Sequence, residues 1–185
     1  MYDTSKIRKG LKIEMEGEVY VVVDFLHVKP GKGGAFIRTK LKSLSRGAVI
    51  DKTFRSGEKV EKPDLEEKKM QFLYSADQQY CFMDTESYEQ AFLTPEQLGE
   101  SRNLLKENTV ISVLFHNQNP LTVELPTFVA LAIAETEPGE KGDTVSGGTK
   151  TARLETGAVV QVPLFLKQGD VVKVDTRTGE YVERA

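Results

Sequence analysis

Between His27 and Arg46 the chain carries six lysines and arginines and no acid, an uninterrupted cationic stretch. At its centre stands Lys29-Pro30-Gly31-Lys32-Gly33-Gly34. Pro30 narrows the turn, and the glycines around Lys32 permit unusual backbone angles and close approach to another surface. The expectation is a thin finger that ends in one long cationic side chain. The segment that follows alternates, so Arg38, Lys40 and Lys42 fall on one face of a strand and Ile37, Thr39 and Leu41 on the other. A row of cations beside a narrow tip suits a phosphate backbone, with Lys29 adding to the row.

Catalytic chemistry finds little purchase. His27 and His116 stand far apart, with no H-E-x-x-H spacing, and no G-x-S-x-G elbow occurs. Gly31-Lys32-Gly33 lacks the Ser/Thr that follows a P-loop lysine, and position 26 is Leu where that loop needs Gly. Gly147-Gly148-Thr149-Lys150 has its Thr and Lys in the wrong order. The single cysteine, Cys81, makes neither an internal disulfide nor a cysteine-based zinc site, and its apolar run Tyr80-Cys81-Phe82-Met83 predicts a buried core position. The sequence therefore predicts no catalytic residue, no metal and no cofactor.

Charge is segregated along the 185 residues. Residues 1–63 carry a net +6, residues 64–127 a net −7 and residues 128–185 a net −2. One end is drawn to polyanions and the middle repels them. No apolar run reaches the length of about 20 residues that a bilayer requires, and the polar opening Met1-Tyr2-Asp3-Thr4-Ser5-Lys6 has no signal core, which predicts a cytoplasmic protein with no membrane contact.

The elements that must hold the finger read as all-β. Residues 19–25, 35–44, 49–54 and 58–62 are strand-like, with Ser56-Gly57 as a turn. In the middle, 70–75 and 79–84 form a hairpin around Ala76-Asp77. Thr94-Pro95-Glu96-Gln97 predicts a helix start with a capping box, and Leu98, Leu104 and Leu105 supply a buried stripe. Two more strands, 110–115 and 121–125, flank a loop at 116–120. Strand-like segments at 128–135, 150–154, 158–162, 170–175 and 180–183 follow, punctuated by Gly157, Gly169 and Gly179. The expectation is three small barrels, at 1–63, 64–127 and 128–185, the last two of OB type.

Three blocks carry a family resemblance. Lys29 to Phe36 resembles the tip loop of bacterial elongation factor P. Phe82-Met83-Asp84-Thr85-Glu86-Ser87-Tyr88-Glu89-Gln90 is similar to that family's middle-domain motif. Gly142-Asp143-Thr144, Leu154 to Ala158, Val162 to Phe165 and Val174 to Arg184 resemble its third domain. The resemblance implies an N-terminal KOW/SH3-like barrel followed by two OB barrels in an L-shaped, tRNA-like arrangement. It implies a monomeric factor that binds both ribosomal subunits between the peptidyl and exit sites and promotes peptide-bond formation at consecutive prolines. It also implies covalent extension of Lys32 by a modifying enzyme, with contact to peptidyl-tRNA. Gly142, Asp143 and Thr144 match a loop that approaches messenger RNA, and Tyr181 and Arg184 match residues near the small-subunit end of the tRNA. A lysine at position 32 departs from the branches that modify an arginine there. An elongation-factor-P-like paralogue and a generic RNA-binding module stay open as alternatives.

Overall fold

In the computed structural model, residues 1–139 and 148–185 are described. They divide into two compact units, residues 1–66 with 115–122, and residues 67–114 with 123–185.

The first unit contains β1 (Tyr2–Asp3), β2 (Lys12–Met15), β3 (Glu18–Val28), β4 (Phe36–Ser43), β5 (Val49–Arg55) and β6 (Lys59–Val60). β2, β3, β4 and β5 form an antiparallel sheet in that order, β1 pairs with β6, and a bridge between Glu14 and Glu61 joins the two sets. The sequence reading missed β1 and β2. The β2–β3 hairpin turns on Glu16 (φ 52°) and Gly17 (φ 79°), a pair of left-handed residues that matches the twist of the flanking strands. Strand β4 alternates as expected: Ile37, Thr39, Leu41 and Ser43 are buried, whereas Arg38, Lys40 and Lys42 are exposed. Ile37 and Leu41 pack with Ile7, Ile13, Tyr20, Val22, Phe54 and Val60.

Strands β7 (Leu65–Ala76), β8 (Gln79–Asp84), β9 (Gln90–Leu93), β10 (Val110–His116) and β11 (Asn119–Glu124) form a sheet ordered β11-β10-β7-β8-β9. Two loop readings are corrected here. The turn after β7 is Asp77-Gln78, both at positive φ, and Ala76 still pairs with Gln79. The expected loop at 116–120 shrinks to Asn117-Gln118, also both at positive φ. Pro120 lies within β11, which is tolerated because β11 is an edge strand. The expected helix is one α turn, α1 (Pro95–Leu98), ended by Gly99 at φ 57° and continued as a 3-10 segment to Leu104. The capping box is present, with Gln97 N–H donating to Thr94 Oγ1 and Thr94 N–H to Gln97 Oε1. Cys81 is buried, and its thiol faces Gln90 Oε1 at 3.7 Å.

The last five strands are β12 (Phe128–Thr136), β13 (Thr149–Leu154), β14 (Val159–Pro163), β15 (Val171–Asp175) and β16 (Glu180–Arg184), ordered β14-β13-β12-β15-β16. A register shift between Ile133 and Glu135 lets β12 pair with β15 along its first half and β13 along its second. β14 returns beside β16, so the sheet curls into a barrel. Leu131, Ile133, Leu154, Val162, Leu166, Val172 and Val174 fill it. Leu104, from the 3-10 segment, packs into that same core. Thr156 Oγ1 donates to Asn103 O at 2.5 Å beside it, and Lys106 pairs with Glu155 at 3.0 Å. Barrels this small bury modest cores, so this docking supplements what each holds alone.

Candidate nucleic-acid interface

The β3–β4 hairpin stays in register from Tyr20–Ser43 to Val28–Phe36, with one shift between Val22 and Asp24. At roughly 3.3 Å per residue, the eight steps from Tyr20 to Val28 carry the chain about 26 Å. Pairing then stops, and Lys29 to Gly34 are all exposed. Gly33 turns the tip at φ +99°. No hydrogen bond or ion pair engages the Lys32 ammonium among the described residues, so the tip cation is free to meet a partner.

The hairpin is braced on its sides. Ser56 N–H donates to Ala35 O at 3.0 Å, and Thr39 Oγ1 donates to Lys52 O at 2.7 Å, tying β4 to β5. The Phe25 ring meets His27 edge-on at 5.5 Å, and Arg8 lies over Phe25 at 5.9 Å. At the base, Glu18 accepts from Arg46 Nε and Nη2, both at 2.7 Å, and from Tyr20 and Ser45 at 3.0 Å, and Ser43 also donates to it. The Arg46 guanidinium, followed by the Ser43 hydroxyl, holds the Glu18 carboxyl down at about 2. The base is therefore closed by a carboxylate that stays ionised well into acid.

The structure modifies the expected cation row. Arg38 stands over the Phe36 ring at 5.6 Å, and Lys42 faces Val21 and Val49 in register. Lys40 is different: Asp24 on β3 and Asp51 on β5 are its register partners, and its ammonium lies 3.8 Å from Asp51 Oδ1. Asp24 is shared with Lys9 at 3.7 Å. Sequence reasoning missed both aspartates, because they lie outside the acid-free segment and only the strand register sets them beside Lys40. It also missed Arg55, exposed opposite Phe36 at the tip end of the sheet, and Lys52, whose ammonium lies over the Phe54 ring at 5.9 Å. Alternation along β5 was the available signal for Arg55.

The other expected positions fall elsewhere. Tyr181 and Arg184 lie on β16 in the second unit. Tyr181 packs against the barrel core, and Arg184 Nη2 lies 3.5 Å from Asp170 Oδ1. Gly142, Asp143 and Thr144 lie outside the described residues. His27 is exposed near the base of the tip loop. His116 ends β10 and meets Glu14 Oε1 at 2.6 Å, both side chains largely buried, so it is a structural contact at a strand end rather than part of the loop expected at 116–120. No group of His, Cys, Asp and Glu able to hold a metal occurs among the described residues, nor a helix long and apolar enough to cross a membrane.

A basic, glycine-tipped hairpin on a four-stranded sheet, followed by two five-stranded sheets, is the architecture of a KOW-like domain with OB domains after it. Solved structures share that fold. A eukaryotic-type translation initiation factor 5A from Methanococcus jannaschii superposes with a TM-score of 0.58 at 21% identity, over 68% of this chain and 92% of that one. An initiation factor 5A family protein from Naegleria fowleri does so with a TM-score of 0.55 at 13% identity, over 67% and 96%. The elongation factor P KOW-like domain matches residues 3–60, its OB domain residues 65–123, and its C-terminal domain residues 121–184. Proteins called elongation factor P from Natranaerobius thermophilus and Moorella thermoacetica are 58% and 57% identical, over all of this chain and 98% and 100% of theirs. The chain belongs to the elongation factor P family, whose members are translation factors and not classical enzymes.

Proposed function

We propose that this factor binds the ribosome between the peptidyl and exit sites and stimulates peptide-bond formation on ribosomes stalled at consecutive prolines. The barrels at 1–63, 64–127 and 128–185 are its working parts, and it acts as a cytoplasmic monomer. The observation that carries the reading is the Lys32 ammonium, exposed and without a partner among the described residues, beyond the last paired residues of a long hairpin. Proline is a restricted reactant. A cation that steadies the tRNA terminus lowers the entropic cost of reaching reactive geometry, while the ribosome performs the chemistry. A modifying enzyme extends Lys32 covalently, which lengthens its reach toward the terminal nucleotides of peptidyl-tRNA. Arg38 and Lys42 on the hairpin, with Arg55 on the neighbouring β5, meet RNA phosphates. Gly142, Asp143 and Thr144 approach messenger RNA, and Tyr181 and Arg184 approach the small-subunit end of the tRNA.

The test is translation of a proline-run reporter with wild-type protein and Lys32→Ala, alongside the intact mass of native protein. The expected result is loss of rescue with modest loss of ribosome binding, and a mass increment located on Lys32. Full rescue by Lys32→Ala would overturn the assignment of the tip. Full activity from protein with an unmodified Lys32 would overturn the modification.

A further inference from the structure

In the C-terminal barrel an aromatic ring is displayed where a core residue would be expected. Strand β14 ends at Pro163, and Leu164-Phe165-Leu166-Lys167 follows. Leu166 is fully buried, but Phe165 is 63% exposed. The loop that presents it is tightly held. Leu166 N–H donates to Pro163 O at 3.2 Å, Lys167 N–H to Asp170 Oδ2 at 2.8 Å, and Gly169 N–H to Ile133 O at 2.8 Å. The ring is therefore fixed outward by its backbone.

Beside it, the chain leaving β12 presses against the same loop. A Cβ on Gly139 would sit 2.4 Å from Leu164 O, so this approach requires glycine. The two segments border an open groove of about 540 Å³, with Phe165, Lys167 and Gln168 among the residues along one wall. Lys150 lies on the other, its ammonium oriented by Glu137 O at 2.6 Å. Among the described residues, two lysines and one acid, Glu137, line it, in a region that is otherwise net acidic.

We propose that this groove binds single-stranded RNA, with one base stacked on Phe165 and the adjoining phosphates met by Lys167 and Lys150. Loops at the mouth of OB barrels take up oligonucleotides, and base stacking on an exposed aromatic tolerates any base because each has a π face. The charge argues for a phosphate-bearing ligand, and the flat, rigidly presented ring argues for a base rather than an acidic peptide. The inference deepens the proposed RNA-facing role of the C-terminal domain and rests on it, but it uses none of the residues of the Lys32 tip.

The experiment is an NMR titration of the isotopically labelled full chain with a short single-stranded oligoribonucleotide at low salt. Amide shifts should centre on Leu164 to Gln168. Phe165→Ala should weaken binding about five- to a hundredfold, the range of one lost base stack, and Phe165→Trp should retain it. Lys167→Glu should weaken it most at low salt. Because Phe165 is exposed, these variants should melt with the parent. Lys32→Ala should leave the shifts at Leu164 to Gln168 unchanged, so failure of the tip reading and failure of this one are separable. Shifts confined to residues 29–42, or binding indifferent to Phe165→Ala, would overturn the proposal. So would a Phe165→Ala protein that loses ribosome affinity while binding the oligonucleotide normally, because the ring would then contact protein.

Discussion

Lys40 and Asp51 face each other across β4 and β5 with Nζ and Oδ1 3.8 Å apart, and Asp24 stands opposite Lys40 on the other side. Both members of the pair are well exposed, so their attraction adds little to stability. Its consequence is local neutralisation in the middle of the cation row. Arg38→Ala and Lys42→Ala should each weaken RNA binding more than Lys40→Ala. The slope of log affinity against log salt should fall by about one per true phosphate contact for the first two, and by less for Lys40. Asp51→Asn should raise affinity for unrelated RNA. Filter binding across a salt series checks the ranking, and a Lys40→Ala slope change equal to that of Arg38→Ala would contradict it.

Gly33 and Gly34 are neighbours with different conformational demands. A Cβ on either would meet nothing within 4 Å, but Gly33 sits at φ +99° whereas Gly34 lies outside the left-handed region. Gly33→Ala should therefore distort the tip, at a cost of about 1–2 kcal/mol in its local conformation, and reduce rescue of proline-run translation. Gly34→Ala should be tolerated. Because the strain is confined to an exposed loop, thermal melting of both variants should stay near the parent. Equal loss of rescue from both substitutions would show that side-chain bulk at the tip, not backbone conformation, sets activity.

The Glu18 network predicts a specific acid sensitivity. Its carboxyl titrates at about 2 when folded against an ordinary 4.5. A depressed carboxylate contributes stability that is fully present above the ordinary value and is lost as pH falls through the folded one. Melting temperature should therefore decline between pH 4.5 and about 2, with Asp175, also held near 2 by the Arg177 guanidinium, declining over a similar window from its ordinary 3.8. Glu18→Gln should lower stability at neutral pH and flatten its share of the decline. A melting profile for Glu18→Gln parallel to that of the parent would remove Glu18 from the account.

The hairpin was legible because strand alternation is a local property. Arg38, Lys40 and Lys42 could be assigned to one face from spacing alone, and Lys32 to the tip from its glycines. Asp24 and Asp51 were not legible, because placing them beside Lys40 requires the register, and the shift between Val22 and Asp24 changes which residues meet. Short elements hid for a related reason. β2 and β9 are four residues each, too short for a periodicity to declare itself, and they exist because neighbouring strands supply their hydrogen bonds. The buried leucines after the helix start were found, but their spacing implied a continuous helix. Gly99 at positive φ breaks it and redirects Leu104 into the C-terminal barrel.

That redirection makes the helix start a point of leverage. Thr94 and Gln97 cap a single α turn, too short to persist by its own hydrogen bonds. The turn must aim the segment that carries Leu98, Leu104 and Leu105 into buried positions. Thr94→Ala removes one half of the reciprocal cap and should cost about 0.5–2 kcal/mol. Thr94→Ser keeps the hydroxyl and should cost less. Leu104→Ala leaves a void at the edge of the barrel core and should cost about 2–5 kcal/mol. Because the cap and Leu104 belong to one docked segment, the double variant should lose less than the two single losses added together. Denaturant unfolding of the four variants measures this, and strict additivity would mean that the cap does not position Leu104.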